Sequence, residues 1–163
     1  MKKIILYIAF LVVGKFSFAQ ADTSLLYIKY PDLPPFTITK VPDSSKFTKV
    51  QLQKKKAVII MLFSPDCEHC QIEVKEFIQN INLFKNVQLV LISHLDYRFL
   101  KTFYKDYNIA KYKNITVGKE TSYFLGNFYK VKFLPAIFLY NKNGQFVKAF
   151  DGSVPVTLIA KSL

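Results

Sequence analysis

The run Ala57 to Phe63, "AVIIMLF", is apolar without a break and rich in β-branched residues. A strand with one wet face alternates, so an unbroken run predicts a strand buried on both faces, as in a sheet covered by helices on each side. The run stops at Ser64-Pro65-Asp66, and the chain's only two cysteines, Cys67 and Cys70, follow at once. From there the period changes: Cys70, Val74, Phe77, Ile78 and Ile81 recur at helical spacing. The pattern predicts a helix that carries Cys70 on its buried stripe and leaves Cys67 at its exposed tip, beyond the end of the strand.

Further elements obey the same logic. Val87 to Ser93, "VQLVLIS", is a second apolar strand, and Asp96 can cap a helix bearing Phe99, Leu100, Phe103 and Tyr107 on one side. Tyr97, Phe99, Phe103, Tyr104 and Tyr107 together read as helix packing rather than a binding stripe. Two strands joined through a helix form a βαβ unit with a right-handed crossover. Asn108 to Lys119 reads as a loop, and Glu120 to Tyr129 as a short helix containing Gly126. "AIFLYNKNGQFVKAF" reads as a β-hairpin turning at Lys142-Asn143-Gly144, and Pro155 is placed to open a short last helix. Asp22 to Lys56 reads as an N-terminal extension with one or two short strands, ending in the lysine turn Lys54-Lys55-Lys56.

The N-terminus bears on what a cysteine pair can mean. Lys2 and Lys3 precede an apolar run from Ile4 to Val13, and small residues stand at Ser17, Ala19 and Ala21. That order is a secretory signal peptide over residues 1–19, with cleavage after Ala19 or Ala21. The run is shorter than the roughly 18 to 20 residues that cross a bilayer, and the charge of Lys15 keeps it from extending further. An uncleaved anchor is the alternative. The mature chain, residues 22–163, is then one exported domain in a bacterial envelope, by this reading the periplasm. With 51% hydrophobic and 16% aromatic residues it can build a core without disulfide staples. The formal charge of +12 invites a nucleic-acid reading, yet the 23 basic residues include one arginine, Arg98, and nucleic-acid recognition favours arginine's planar fork. Export argues against nucleic acid as well, so the lysines read as a solvated surface.

A Cys-x-x-Cys at a strand-to-helix junction suits reversible dithiol chemistry. The thiolate is the nucleophile, and the helix N-terminus stabilises it through unpaired amides. The spacing places the second sulfur where it can attack a mixed disulfide and release the partner. Cys67 is then the nucleophile and Cys70 the resolving thiol. Three other readings stay open on the residues alone. A structural disulfide is one, although so small a loop constrains little chain entropy. A copper or zinc delivery site from Cys67, Cys70, His69 and His94 is another, although adjacent His69 and Cys70 are poorly placed to share one ion. A thiol peroxidase is the third: Ser64 stands three residues before Cys67, but Ile60 occupies the position where a companion proline belongs. Dithiol exchange itself calls for no cofactor and no metal.

"SPDCEHC", with "YKVKFLPAIFLYNKNGQFVKAFDG" at a distance beyond it, resembles the thioredoxin superfamily, in which the Cys-x-x-Cys faces a cis-proline that precedes a hairpin. Leu134-Pro135 sits where that cis-proline belongs, and Asn143-Gly144 and Gly152 match the later glycines. The stretch from Cys70 to Pro135 exceeds that of a plain thioredoxin and resembles the inserted strand–helix segment of the TlpA-like exported thiol-disulfide oxidoreductases. The resemblance spans roughly Leu33 to Leu163. It implies a thioredoxin-like α/β fold, a central mixed β-sheet flanked by helices with a strand–helix insertion between the cysteines and Pro135. It also implies that Leu134 and Pro135 bind the partner's extended backbone. Its expected partners are protein thiols or disulfides in the cell envelope and a membrane or soluble electron donor or acceptor, with the chain itself a monomer.

The departures from the family lie at the site. Asp66 replaces the usual tryptophan, Glu68-His69 is the inner pair, and the family's buried acid, six positions before the first cysteine, falls on Met61. His69 resembles the histidine of strongly oxidising DsbA-type sites, where it stabilises the thiolate. Asp66 and Glu68 act the other way, because like charge disfavours a thiolate. These three residues tune the site in opposite senses, and the redox direction stays open.

Overall fold

The computed structural model describes residues 25–163. The expected signal segment lies outside the described residues. In chain order the elements are α1 (Leu26–Lys29), β1 (Thr37–Lys40), β2 (Lys46–Thr48), β3 (Ala57–Leu62), α2 (Glu68–Gln79), β4 (Val87–Ser93), α3 (Tyr97–Asp106), β5 (Ile115–Lys119), α4 (Phe124–Tyr129), β6 (Ala136–Tyr140), β7 (Phe146–Asp151) and α5 (Val156–Lys161). The seven strands form one sheet in the order β2-β1-β5-β4-β3-β6-β7. β3, β4 and β5 run parallel, whereas β6, β7, β1 and β2 join by antiparallel pairing.

β3 lies near the middle and is buried on both faces, as its composition requires. Ile59, Met61 and Phe63 pack into one core with Val74 and Phe77 of α2 and Leu100 and Phe103 of α3. Val58, Ile60 and Leu62 pack into the other, with Ile38, Leu125 and Phe138. Each such side chain removed from water contributes about 1.5–3 kcal/mol, so β3 anchors the sheet through both layers. Its C-terminal end delivers the chain to the start of α2. Two strand–helix units, β4–α3 and β5–α4, separate α2 from β6, so the expected inserted segment is present.

The structure corrects the sequence reading in several places. The expected loop over residues 108–119 contains a short turn of 3-10 helix at Ile109–Lys111 and then β5, paired parallel to β4 and antiparallel to β1. The N-terminal extension is therefore part of the main sheet. Gly118 permits this: a Cβ there would lie 2.6 Å from Ile38 Cδ1, so a larger residue would push β1 away. α4 begins at Phe124, later than Glu120, because Glu120 instead accepts the Leu125 N–H with both carboxylate oxygens, each at 3.2 Å. On α3, Leu100 and Phe103 are buried but Phe99 is 58% exposed. Ile78 and Ile81 pack at the margin of the core rather than inside it. The β6–β7 hairpin turns through Gly144 at φ +77°, as the Asn-Gly signal predicts.

Candidate active site

The abrupt end of β3 at Ser64-Pro65 fixes where the cysteines fall. Cys67 is the N-cap of α2, with extended backbone, and its Sγ accepts the Cys70 N–H at 3.3 Å. An N–H directed at the sulfur and the positive end of a helix both stabilise negative charge there. Cys70, one turn later, is completely buried against Val74 and Phe77, while Cys67 remains partly exposed. The sulfurs lie 2.7 Å apart, with the Cys70 thiol donating to Cys67 Sγ. Burial pushes the Cys70 thiol up to about 12, and its hydrogen bond to Cys67 adds to the rise. Below that pH Cys70 holds its proton.

The loop before β6 closes the site from the other side. The Leu134–Pro135 peptide is cis, and the Leu134 carbonyl lies 3.9 Å from Cys67 Sγ. Phe133, immediately before it, is 67% exposed. Around the sulfurs, Asp66, Glu68 and His69 are all exposed. Asp66 accepts the Ser64 hydroxyl, and Glu68 stands in the first turn of α2. The His69 carbonyl accepts the Ser153 hydroxyl at 3.0 Å, which ties the tip of α2 to the segment before α5.

A family model described as a thioredoxin-like domain matches residues 44–163. The chain belongs to that family. Solved structures place the same fold in several bacterial proteins. A secreted Mycobacterium tuberculosis disulfide oxidoreductase homologous to E. coli DsbE superposes with a TM-score of 0.63 at 20% identity, over 78% of this chain and 93% of its own. The exposed lipoprotein thioredoxin of Streptococcus pneumoniae gives 0.59 at 19% identity, over 80% of this chain and all of its own, 100%. StoA from Bacillus subtilis gives 0.57 at 16% identity, over 81% and 98%. At these identities the likeness is one of fold. A comparison with curated protein sequences finds no match.

Met61, at the position of the family's buried acid, is fully buried. Among the described residues two acids are buried, Glu120 and one that sequence reasoning missed on α2, one turn beyond Cys70 and only 1% exposed, Glu73. Burial raises its carboxyl to about 7, against the opposing hydrogen bond from the Val154 N–H at 3.1 Å. Its other oxygen, Oε1, is buried without a partner. Glu73 stands three residues after Cys70 and four before Phe77, on the apolar stripe, but its charge makes it read as a surface residue.

His94 comes just after β4 at the same end of the sheet, exposed, with its ring edge-on to Tyr123 at 5.2 Å between centroids. Among the described residues, no three His, Cys, Asp or Glu side chains converge as a metal ion would require. His94 instead borders a cavity of about 180 Å³ that reaches Leu134. On the far side of α2, a wider groove of about 640 Å³ runs between α2 and α3 from Pro65 and Asp66.

Proposed function

We propose that this protein exchanges its Cys67–Cys70 dithiol or disulfide with protein partners. The observation that carries the reading is the asymmetry of the pair: Cys67 is a partly exposed helix N-cap that receives an N–H, and Cys70 is buried with its thiol held up at about 12. In the reducing direction the Cys67 thiolate attacks one sulfur of a partner disulfide, forming a mixed disulfide and releasing one partner thiolate. Cys70 then loses its proton and attacks Cys67 Sγ, 2.7 Å away in the reduced pair, releasing the second partner thiolate. Two electrons pass to the partner, its two thiolates take up the proton lost by Cys70 and one from water, and the Cys67–Cys70 disulfide forms. A dithiol donor must reduce that disulfide again; run backwards, the same steps oxidise a partner. Leu134 and Pro135 hold the partner's extended backbone, and Asp66, Glu68 and His69 set the potential. The signal peptide exports the domain to the envelope, where both partner and electron donor or acceptor are found.

Trapping tests the roles. Cys70→Ser incubated with disulfide-containing proteins should accumulate mixed disulfides through Cys67, and Cys67→Ser should accumulate few. Equal alkylation rates of the two reduced thiols would contradict the assignment.

A further inference from the structure

The cavity beside Leu134 combines an apolar floor with a polar rim, and nothing in the exchange chemistry needs it. Its floor is Ile92 from the end of β4 with Val131 and Leu134 from the loop before β6. Its lip is Tyr123, 46% exposed, with His94 against the ring. Tyr123 is held by the backbone in a conformation side chains avoid, at φ +54°. Its ring lies directly over Gly126, where a Cβ would come within 2.7 Å of Tyr123 Cζ. A glycine at that point of α4 therefore has a reason: it lets the lip lie flat.

We infer that this cavity is a side-chain pocket that selects partners carrying an apolar residue within two positions of the cysteine attacked by Cys67. The inference rests on the dithiol-exchange reading and names what it would recognise. Position is the first argument, because the pocket shares Leu134 with the sulfur site, and the Leu134 carbonyl lies 3.9 Å from Cys67 Sγ, so a residue near a cysteine joined to Cys67 starts beside the pocket. Size is the second: about 180 Å³ holds one side chain of leucine or phenylalanine size and no more. Chemistry is the third. The one acid in the wall, Glu120, turns both oxygens to the Leu125 N–H and is buried, so it offers no open anion to a lysine or arginine, while Lys132 and His94 are exposed at the rim, where charge meets water, and leave the floor apolar. The lip and part of the wall come from the segment between β5 and α4, so the inserted unit supplies the selectivity.

The test uses disulfide-linked peptides that differ only beside the cysteine, with leucine, glycine, aspartate or lysine there, plus a small aromatic disulfide without flanking residues. The parent should reduce the leucine peptide with kcat/KM about tenfold above the glycine peptide, the difference residing in KM. Gly126→Ala and Tyr123→Ser should each bring that ratio towards one. Because the ratio is taken within one preparation, loss of folded protein cancels, and the surface variant Tyr123→Ser covers the case in which Gly126→Ala does not fold. Equal rates for leucine and glycine peptides, a preference for lysine or aspartate, or an unchanged ratio in both variants would overturn the pocket while leaving exchange intact. Failure of the parent to react with any of these disulfides, the small one included, would overturn the exchange reading itself.

Discussion

Glu73 offers the sharpest physical test, because a buried acid on the active-site helix makes stability depend on pH in a defined window. Its carboxyl is raised from an ordinary 4.5 to about 7, mainly by burial, with Glu76 nearby adding to the rise. The hydrogen bond from the Val154 N–H acts in the opposite sense. Below pH 4.5 the folded and unfolded chains both hold the proton, and the protonated form fits the site. Between 4.5 and 7 the unfolded chain gives up its proton while the folded chain keeps it, so stability falls as pH rises. Above 7 the loss is complete. At about 1.4 kcal/mol per pH unit, the difference comes to about 3 kcal/mol, a large share of a small domain's stability. Glu73→Gln removes the ionisation, keeps an oxygen for Val154 and offers an N–H₂ where Oε1 now lacks a partner. Urea unfolding of the reduced proteins, monitored by circular dichroism at pH 4.5, 6 and 8, should give equal stabilities at the lowest pH. At pH 8 the variant should be ahead by about 3 kcal/mol. Parent and variant curves that stay parallel from pH 4.5 to 8 would refute the claim that Glu73 is the group being titrated.

Other expectations concern the tuning residues, metals and the N-terminal strands. His69→Ala should lower the reduction potential and Glu68→Gln raise it, since one removes a group that stabilises the thiolate and the other removes a repelling charge; equilibration with glutathione measures both, and shifts of one sign would rule out this tuning. Chelators should leave disulfide reduction unchanged, whereas stoichiometric Cu(I) or Zn(II) retained by the parent and lost in His94→Ala would favour a metal-delivery role. Tyr97→Phe removes a hydroxyl that donates to the Lys40 carbonyl at 2.9 Å and accepts from Ser44, and should lower stability by about 1 kcal/mol in thermal or urea unfolding.

Elements with a clear hydrophobic period are legible in the sequence. β3, α2, β4 and α3 carry long apolar runs or helical stripes, and the cysteine pair at a strand-to-helix junction gives the site its location. β5 is hidden because its five residues include Gly118 and end in Lys119, and polar residues precede them; what makes it a strand is parallel pairing with β4 along its whole length and cover from β1, far away in sequence, on its other edge. Glu73 is hidden for a related reason. An acid among apolar neighbours on a helix reads as a surface residue until its partner, the Val154 N–H, is brought to it by the fold. Phe99 errs in the other direction, since helical spacing alone does not say how wide the buried stripe is, and here it stops short at Leu100 and Phe103.

The N-terminal strands and the inserted unit depend on each other. Without β1, β5 would be an edge strand with its outer N–H and C=O groups unpaired, the arrangement that invites pairing with another chain. β1 covers it through Thr39 and Lys40, and the Val41 N–H continues the cover to the Val117 carbonyl at 2.9 Å. Tyr97 on α3 then ties the turn after β1 to the rest of the domain through the Lys40 carbonyl and Ser44. The matched family region begins at residue 44, so this cover lies outside it. β5 leads directly to Glu120, whose N–H is bound by the Ser93 carbonyl at 2.9 Å and whose carboxyl starts α4. A chain that adds a strand–helix unit near its thiols must also supply something to cover that unit's open edge, and here the segment before β3 does so.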